Sequence, residues 1–153
     1  MPDNVSDNDS GSRSLTERLW SDDGWQDLRV GRYEIKKPLG DGGMGRVFLA
    51  EDVLLRRQIA LKVISKSVRE AHQSGHLEQF LREAQAVAAL SHPHVARIYD
   101  IVHQEGVVAI ATEYVSGGTF EDFIRYTKEP DIFEVCRIVA ETAAGLQCAH
   151  EHG

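Results

Sequence analysis

The sequence has little of what characterises secreted, membrane-spanning or nucleic-acid-binding proteins. Its two cysteines, Cys136 and Cys148, are too few for a disulfide framework and fall in one predicted helix, too far apart to pair there. No apolar run approaches membrane-spanning length, and the acidic N-terminus lacks the apolar core of a secretory signal. The 17 Lys and Arg face 24 Asp and Glu, and a net charge of −7 argues against a general nucleic-acid binder. We therefore expect a cytoplasmic protein with reduced cysteines, no membrane segment and no nucleic-acid partner.

The length of 153 residues corresponds to about one domain, and 42% apolar with 27% charged residues is typical of a soluble globular chain. Residues 1–30 differ from the rest because Ser, Asp, Asn and Gly dominate them. We predict that this acidic leader is disordered. A capping-box pattern from Ser14 to Glu17 is the one exception. Trp20 and Trp25 either dock on the folded domain or on a partner, or are incidental.

Glycines are concentrated between Leu39 and Val47, in the pattern G-x-G-x-x-G-x-V with Gly43 as an extra glycine. A backbone without Cβ atoms can approach a ligand closely and present N–H groups to an anion. Gly45 is followed by a strand-like apolar run rather than a helix, and no G-K-[ST] occurs, so neither a dinucleotide-binding turn nor a Walker loop fits. The pattern predicts a strand–turn–strand hairpin over phosphates; a glycine-rich hairpin without a ligand is the alternative.

A lysine interrupts the next apolar strand, from Ile59 to Ile64. Strand alternation puts Ala60, Lys62 and Ile64 on one face, where an ammonium group needs a partner. A helix predicted over residues 76–90 carries Glu83 at the border of its apolar stripe, within reach of the sheet. The alternatives are an edge-strand lysine and a solvated glutamate.

The glycine hairpin, the lysine strand and the helix glutamate, in this order, resemble the small lobe of protein kinases. The runs Gly42-Gly43-Met44-Gly45 and Arg82-Glu83-Ala84 are most similar to bacterial serine/threonine kinases of the eukaryotic type. The resemblance extends from about Tyr33 to Gly153. It implies the N-terminal part of a kinase domain that ends just before the catalytic loop.

The resemblance implies an α+β fold. Residues 31–112 would form the small lobe, a five-stranded antiparallel sheet with one main helix. Residues 113–118 would be the hinge, and residues 119–153 the first two helices of the large lobe, with Thr119 and Asp131 as helix caps.

The resemblance also implies an ATP site. Lys62 would hold the α- and β-phosphates and Glu83 would position it, as the catalytic residues of this half of the site. Thr112 would be the gatekeeper, and the backbone from Glu113 to Val115 would recognise adenine. Leu39, Val47 and Ala60 would sandwich the adenine ring, and ordinary core packing is the alternative for these three. The implied nucleotide-binding residues are Leu39, Gly40, Gly42, Gly43, Gly45, Val47, Ala60, Lys62, Thr112, Glu113 and Val115.

The family's H-R-D, D-F-G and A-P-E motifs occur nowhere in the 153 residues. The complete kinase would transfer the γ-phosphate of ATP to a Ser or Thr hydroxyl of a protein substrate, with Mg²⁺, whereas this chain alone is expected to be inactive. Two histidine pairs, His92 with His94 and His150 with His152, have no further ligands, so no metal site is expected.

Two functions remain open: the N-terminal part of an active kinase, or a non-catalytic module that binds nucleotide or docks on a kinase. The last predicted helix carries an apolar stripe that lacks a core to cover it, so we predict exposure and self-association. The stripe consists of Ile132, Val135, Cys136, Val139, Ala143, Leu146 and Ala149.

Overall fold

The computed structural model describes residues 13–42, 45–64, 82, 84–85 and 87–152. The strands in chain order are β1 (Arg29–Val30), β2 (Tyr33–Gly42), β3 (Gly45–Asp52), β4 (Arg57–Ile64), β5 (Ile98–Gln104) and β6 (Val107–Glu113). They form a six-stranded sheet in the order β1-β2-β3-β4-β6-β5, in which every neighbouring pair is antiparallel.

Three helices have described bounds: α1 (Leu15–Trp20), α2 (Phe120–Tyr126) and α3 (Ile132–Glu151). Residues 82, 84–85 and 87–88 are also helical and belong to the segment predicted as the main helix of the small lobe. Within the predicted stretch 76–90, residues 76–81, 83 and 86 lie outside the described residues, and residues 89–90 are described but not helical.

The sheet buries apolar residues on both faces, as the alternation in β4 predicted. Ile59, Leu61 and Val63 belong to the larger core cluster, on what we call the outer face. Ile64 belongs to a second cluster with Ala84, Val108 and Ile110, on what we call the site face. The main helix therefore packs on the site face, where Lys62 also lies.

The outer face is covered by a segment that we expected to be disordered. Leu19 of α1 is fully buried in the larger cluster, and Trp20 and Trp25 pack against it. Ser14 caps α1 with both hydrogen bonds of a capping box, to and from Glu17. For residues 13–30 the predicted disorder is therefore wrong, because a few apolar side chains on one surface outweigh the polar average of the segment. Residues 1–12 lie outside the described residues.

The sixth strand comes from the same segment and corrects the predicted count of five. β1 pairs with the start of β2, Arg29 opposite Glu34 and Val30 opposite Tyr33. Gly31 has φ +60, which a glycine adopts without strain in the tight turn that joins the two strands.

A polar cluster of Arg32, Tyr33, Asp52 and Asp100 ties the sheet together at the end away from the glycine hairpin. The fully buried Asp52 accepts from Arg32 Nε at 3.1 Å and from the N–H groups of Leu54 and Leu55, each at 3.1 Å. Arg32 Nη2 lies 3.4 Å from Asp100 Oδ2, and the Tyr33 hydroxyl donates to the same oxygen at 2.9 Å. The cluster thus joins β2, β5 and the β3–β4 turn.

The ionisation of the Tyr33 hydroxyl should make the free energy of unfolding depend on pH in the alkaline range. Burial, the hydrogen bond to Asp100 and the charge of Asp100 raise the pKa of Tyr33 to about 12. The unfolded chain releases this proton near pH 10, so the contribution is complete below pH 10 and is lost as pH rises towards 12. We expect Tyr33→Phe to cost about 1 kcal/mol at pH 7 and to flatten the decline between pH 10 and 12. Urea unfolding at pH 8, 10 and 11.5 measures both effects; equal slopes in the two proteins would contradict the assignment.

The helices at the C-terminal end begin where the sequence predicted. Thr119 and Asp122 form a capping box at α2, and Asp131 caps α3 by accepting from the N–H of Phe133 at 3.0 Å. Gly145 is the buried residue of α3; a Cβ there would lie 2.7 Å from the carbonyl oxygen of His94. The glycine lets α3 lie directly against the backbone that precedes β5.

The apolar stripe of α3 is open to solvent over most of its length. Ile132 is 65% exposed, and Val139 and Leu146 are each 55% exposed. The predicted exposure is thus seen at these positions, while self-association stays a prediction.

Candidate functional site

The glycine hairpin, which we define as residues 39–47, is formed by the end of β2 and the start of β3. Gly40 lies opposite Val47, Asp41 opposite Arg46, and Gly42 opposite Gly45. Register shifts interrupt the pairing between Ile35 and Lys37 and between Pro38 and Gly40. The hairpin has the strand–turn–strand geometry expected from the sequence; Gly43 and Met44 at its tip lie outside the described residues.

The described glycines of the hairpin differ in whether packing requires a residue without a side chain. Gly45 is buried with φ +151, and a Cβ would lie 2.1 Å from the carbonyl oxygen of Val63, so packing against β4 requires a glycine there. Gly40 and Gly42 are exposed, neither φ lies in the left-handed region, and a Cβ on either would meet nothing within 4 Å. Packing among the described residues therefore does not account for these two glycines, and the open space above them is available to a ligand.

An ion pair joins the two strands one step from the hairpin tip. Arg46 Nε donates to Asp41 Oδ1 at 2.6 Å, and Nη2 donates to Oδ2 at 2.9 Å. The hydrogen bonds from Arg46 hold the pKa of the Asp41 carboxyl below its usual value, and the same pairing raises the pKa of the guanidinium. The positive charge offsets a carboxylate that would otherwise repel phosphate beside the glycines.

Sequence reasoning missed Arg46. Its Nη1 donates to the carbonyl oxygens of Leu19, at 3.3 Å, and Ser21, at 3.0 Å, so the hairpin is joined to the end of α1. Opposite charges at Asp41 and Arg46 on either side of a two-residue tip were a signal for the cross-strand pair. No sequence pattern indicated the contact with α1.

The predicted nucleotide contacts from three strands lie on the site face. The register places Val47 opposite Lys62 and Lys62 opposite Ile110. It also places Leu49 opposite Ala60 and Ala60 opposite Thr112. Because directly opposed residues in antiparallel strands share a face, Val47, Ala60, Lys62 and Thr112 form one surface beside the hairpin. Leu39 is 40% exposed on β2.

The residues predicted to recognise adenine lie at the end of β6 and in the connection that follows it. The N–H of Glu113 donates to the carbonyl oxygen of Arg97 at 2.8 Å, so this donor is not available to a ligand. The Glu113 carboxylate accepts from the N–H of Arg97 at 3.3 Å. Thr112 Oγ1 donates to the carbonyl oxygen of Ala60 at 3.4 Å. Val115 follows in an irregular connection and is 67% exposed.

The predicted partner of Lys62 cannot be located in the structure. Glu83 lies outside the described residues, so its pairing with Lys62 stays a prediction. In the described part of the chain, no three His, Cys, Asp or Glu side chains come together as a metal-binding group. Over the same residues, none of the helices combines the length and apolar character needed to cross a bilayer.

The antiparallel sheet, the glycine hairpin and the lysine on the strand next to it have the arrangement of a protein kinase small lobe. The protein kinase domain family matches residues 33–153. The chain therefore belongs to this family, and the resemblance to bacterial serine/threonine kinases of the eukaryotic type is confirmed.

Individual relatives support the same assignment. Serine/threonine-protein kinase PrkC of Bacillus subtilis (strain 168) is 33% identical over 122 residues, which are 80% of this chain and 18% of PrkC. Serine/threonine-protein kinase PknB of Mycobacterium leprae (strain TN) is 35% identical over 126 residues, 80% of this chain and 20% of PknB. The crystal structure of the Mycobacterium tuberculosis PknI kinase domain matches with a TM-score of 0.69 and 30% identity, over 84% of this chain and 51% of that domain. The chain thus spans about half of a solved kinase domain and a smaller share of the curated relatives.

Proposed function

We propose that these residues form the ATP-binding part of a protein serine/threonine kinase, which transfers the γ-phosphate of ATP to Ser or Thr hydroxyls of a protein substrate. The observation that carries the proposal is the site face: Val47, Ala60, Lys62 and Thr112 share one surface, next to glycines that leave space for a ligand. We also propose that this part of the protein lies in the cytoplasm, where ATP is available.

Each residue has a definite role in this proposal. The N–H groups of the hairpin, including those of Gly40, Gly42 and Gly43, bind phosphate oxygens, since bare backbone donors suit anions. Lys62 holds the α- and β-phosphates, with Glu83 positioning its ammonium group. Leu39, Val47 and Ala60 enclose the adenine ring. Because the N–H of Glu113 is already used, adenine recognition falls to the Glu113 carbonyl and the N–H of Val115.

The 153 residues contain no H-R-D or D-F-G motif, so no residue of this chain is assigned to orient the substrate hydroxyl or to hold Mg²⁺. We propose that this chain binds nucleotide without turnover and that the missing groups belong to a complete kinase. The exposed face of α3 at Ile132, Val139 and Leu146 is, in this proposal, the surface that the remainder of the large lobe covers, or through which isolated chains associate.

The proposal is tested by the affinity of Lys62→Met for ATP. Removing the ammonium group takes away a charge-assisted contact to phosphate, so we expect affinity to fall about tenfold or more. Fluorescence titration with a labelled ATP analogue and competition by unlabelled ATP measures it. Lys36→Met is the matched control, because Lys36 is an exposed lysine that pairs with Glu34 on its own strand and with Glu51 on the neighbouring strand. Equal affinity of Lys62→Met and the unmodified chain would remove Lys62 from the site, and no binding by the unmodified chain would contradict the proposal.

A further inference from the structure

We propose that Arg46 is a positioning residue through which the docking of α1 on the outer face sets the conformation of the glycine hairpin and hence its affinity for ATP. The effect on ATP rests on the proposed function, whereas the mechanical link between α1 and the hairpin does not. No residue of the link touches the nucleotide site face; Arg46 acts through the backbone that it holds.

The first observation is that one guanidinium serves two partners in different parts of the chain. Two of its nitrogens pair with Asp41 across the hairpin, and the third donates to the carbonyl oxygens of Leu19 and Ser21. The Arg46 side chain is only 13% exposed, so these contacts are partly shielded from water. A bidentate carboxylate pair of this kind is geometrically specific as well as strong.

The second observation is the chemistry at the end of α1. The last carbonyl groups of a helix have no partner within the helix and carry partial negative charge. Arg46 satisfies the carbonyl of Leu19 and that of Ser21, the residue that caps the helix. The contact is therefore complementary in both hydrogen bonding and charge.

The third observation is position. Arg46 and Asp41 are the pair next to Gly42 and Gly45, the last described pair before the tip. A side chain fixed here restrains the strands that carry the phosphate-binding N–H groups. Gly40 and Gly42 are paired with β3 through the backbone, but a Cβ on either would meet nothing within 4 Å. The Arg46–Asp41 pair therefore adds a side-chain restraint where side-chain packing supplies none.

α1 is also an element whose docking can change. A six-residue helix is not stable alone, so it depends on the burial of Leu19 and on the capping box at Ser14. Loosening α1 removes two acceptors from Arg46 and leaves the hairpin less restrained. The N-terminal segment thereby becomes a means of adjusting nucleotide affinity from the opposite face of the sheet.

Arg46→Gln in the full chain tests the link by two readouts. Hydrogen exchange of the peptide that covers the hairpin should be about fivefold faster or more, and ATP affinity should fall by a similar factor. Arg46→Lys should lie between, because it keeps the charge but loses the fork. Arg137→Gln is the matched control, since Arg137 bridges Glu134 and Glu141 on exposed α3, and it should change neither readout.

Leu19→Ala approaches the same link from α1 without altering the hairpin sequence. It should also accelerate exchange in the hairpin, and the double variant with Arg46→Gln should be no faster than the stronger single one, because both break one connection. Unchanged hairpin exchange in Arg46→Gln would overturn the proposal whether or not ATP binds. Faster exchange with unchanged ATP affinity would overturn the effect on affinity, while absence of ATP binding to the unmodified chain would count against the proposed function alone.

Discussion

Asp52→Ala is expected to lower the free energy of unfolding by about 3 kcal/mol, because it removes a fully buried carboxylate that accepts three hydrogen bonds. The substitution leaves Arg32 without its 3.1 Å partner and takes away the acceptor of the Leu54 and Leu55 N–H groups. These donors are partly buried, so water replaces the lost acceptor only incompletely. Urea unfolding at pH 7, followed by circular dichroism, measures the loss.

Glu51→Ala is the matched control for Asp52→Ala. Glu51 is the neighbouring carboxylate, but its side chain is 41% exposed and pairs with Lys36 at 3.1 Å. We expect its removal to change stability by less than about 1 kcal/mol. Similar losses in the two variants would mean that burial of Asp52 does not carry the effect.

Acid should reproduce part of the effect of Asp52→Ala. Burial acts to raise the pKa of Asp52, but the Leu55 and Leu54 amides and the Arg32 guanidinium outweigh it, so the pKa is lowered. A lowered pKa in the folded state means that the contribution is present above about pH 4 and is lost as pH falls through the folded value. The stability difference between the unmodified chain and the Asp52 variant should accordingly shrink below pH 4.

Gly45→Ala is expected to destabilise the chain by about 3 kcal/mol or more, since backbone strain and a steric clash add. The new Cβ would lie 2.1 Å from the Val63 carbonyl oxygen and 3.2 Å from the Ile64 Cα, so β3 and β4 would have to separate. The residue would also have to keep φ +151, which side chains rarely adopt. Thermal and urea unfolding of the purified variant measure the loss.

Gly40→Ala provides the control within the same motif. Its Cβ would meet nothing within 4 Å and its φ is not in the left-handed region, so stability should stay equal or rise by up to about 1 kcal/mol. Under the proposed function the same methyl group crowds the phosphates, and ATP affinity should fall. A large loss of stability in Gly40→Ala would show that the two glycines do not differ as the structure indicates.

Local patterns predicted much of the secondary structure around the candidate site. The glycine spacing and the apolar run after Gly45 indicated a hairpin, because they concern residues adjacent in the chain. The alternation around Lys62 assigned the two faces of β4, and the caps at Thr119 and Asp131 marked where helices begin. Each of these features depends on backbone geometry over a few residues, which the sequence determines directly.

Contacts between distant segments were not predictable in the same way. Composition indicated a disordered leader, yet burial of Leu19 in the core holds α1 against the sheet and β1 at its edge. Likewise, Asp52 and its partner Arg32 are 20 residues apart in the chain, and Arg46 and its partner Ser21 are 25 residues apart. Such contacts form because folding buries apolar area and pairs charges from segments that are far apart in the chain. A pattern over a few neighbouring residues does not contain that information.

The glycine motif shows both levels in one stretch of chain. The sequence alone indicated a glycine-rich hairpin of two strands followed by a lysine strand, and these two motifs with the helix glutamate carried the kinase resemblance. Packing in the sheet distinguishes the individual glycines. Gly45 is required because a Cβ there would lie 2.1 Å from the Val63 carbonyl oxygen of β4, whereas a Cβ on Gly40 would meet nothing within 4 Å. The two glycines thus have different roles, because the space that a Cβ would take is filled by backbone at Gly45 and is empty at Gly40. The sequence shows only that both residues lack a side chain, and the packing of the sheet determines what lies in its place.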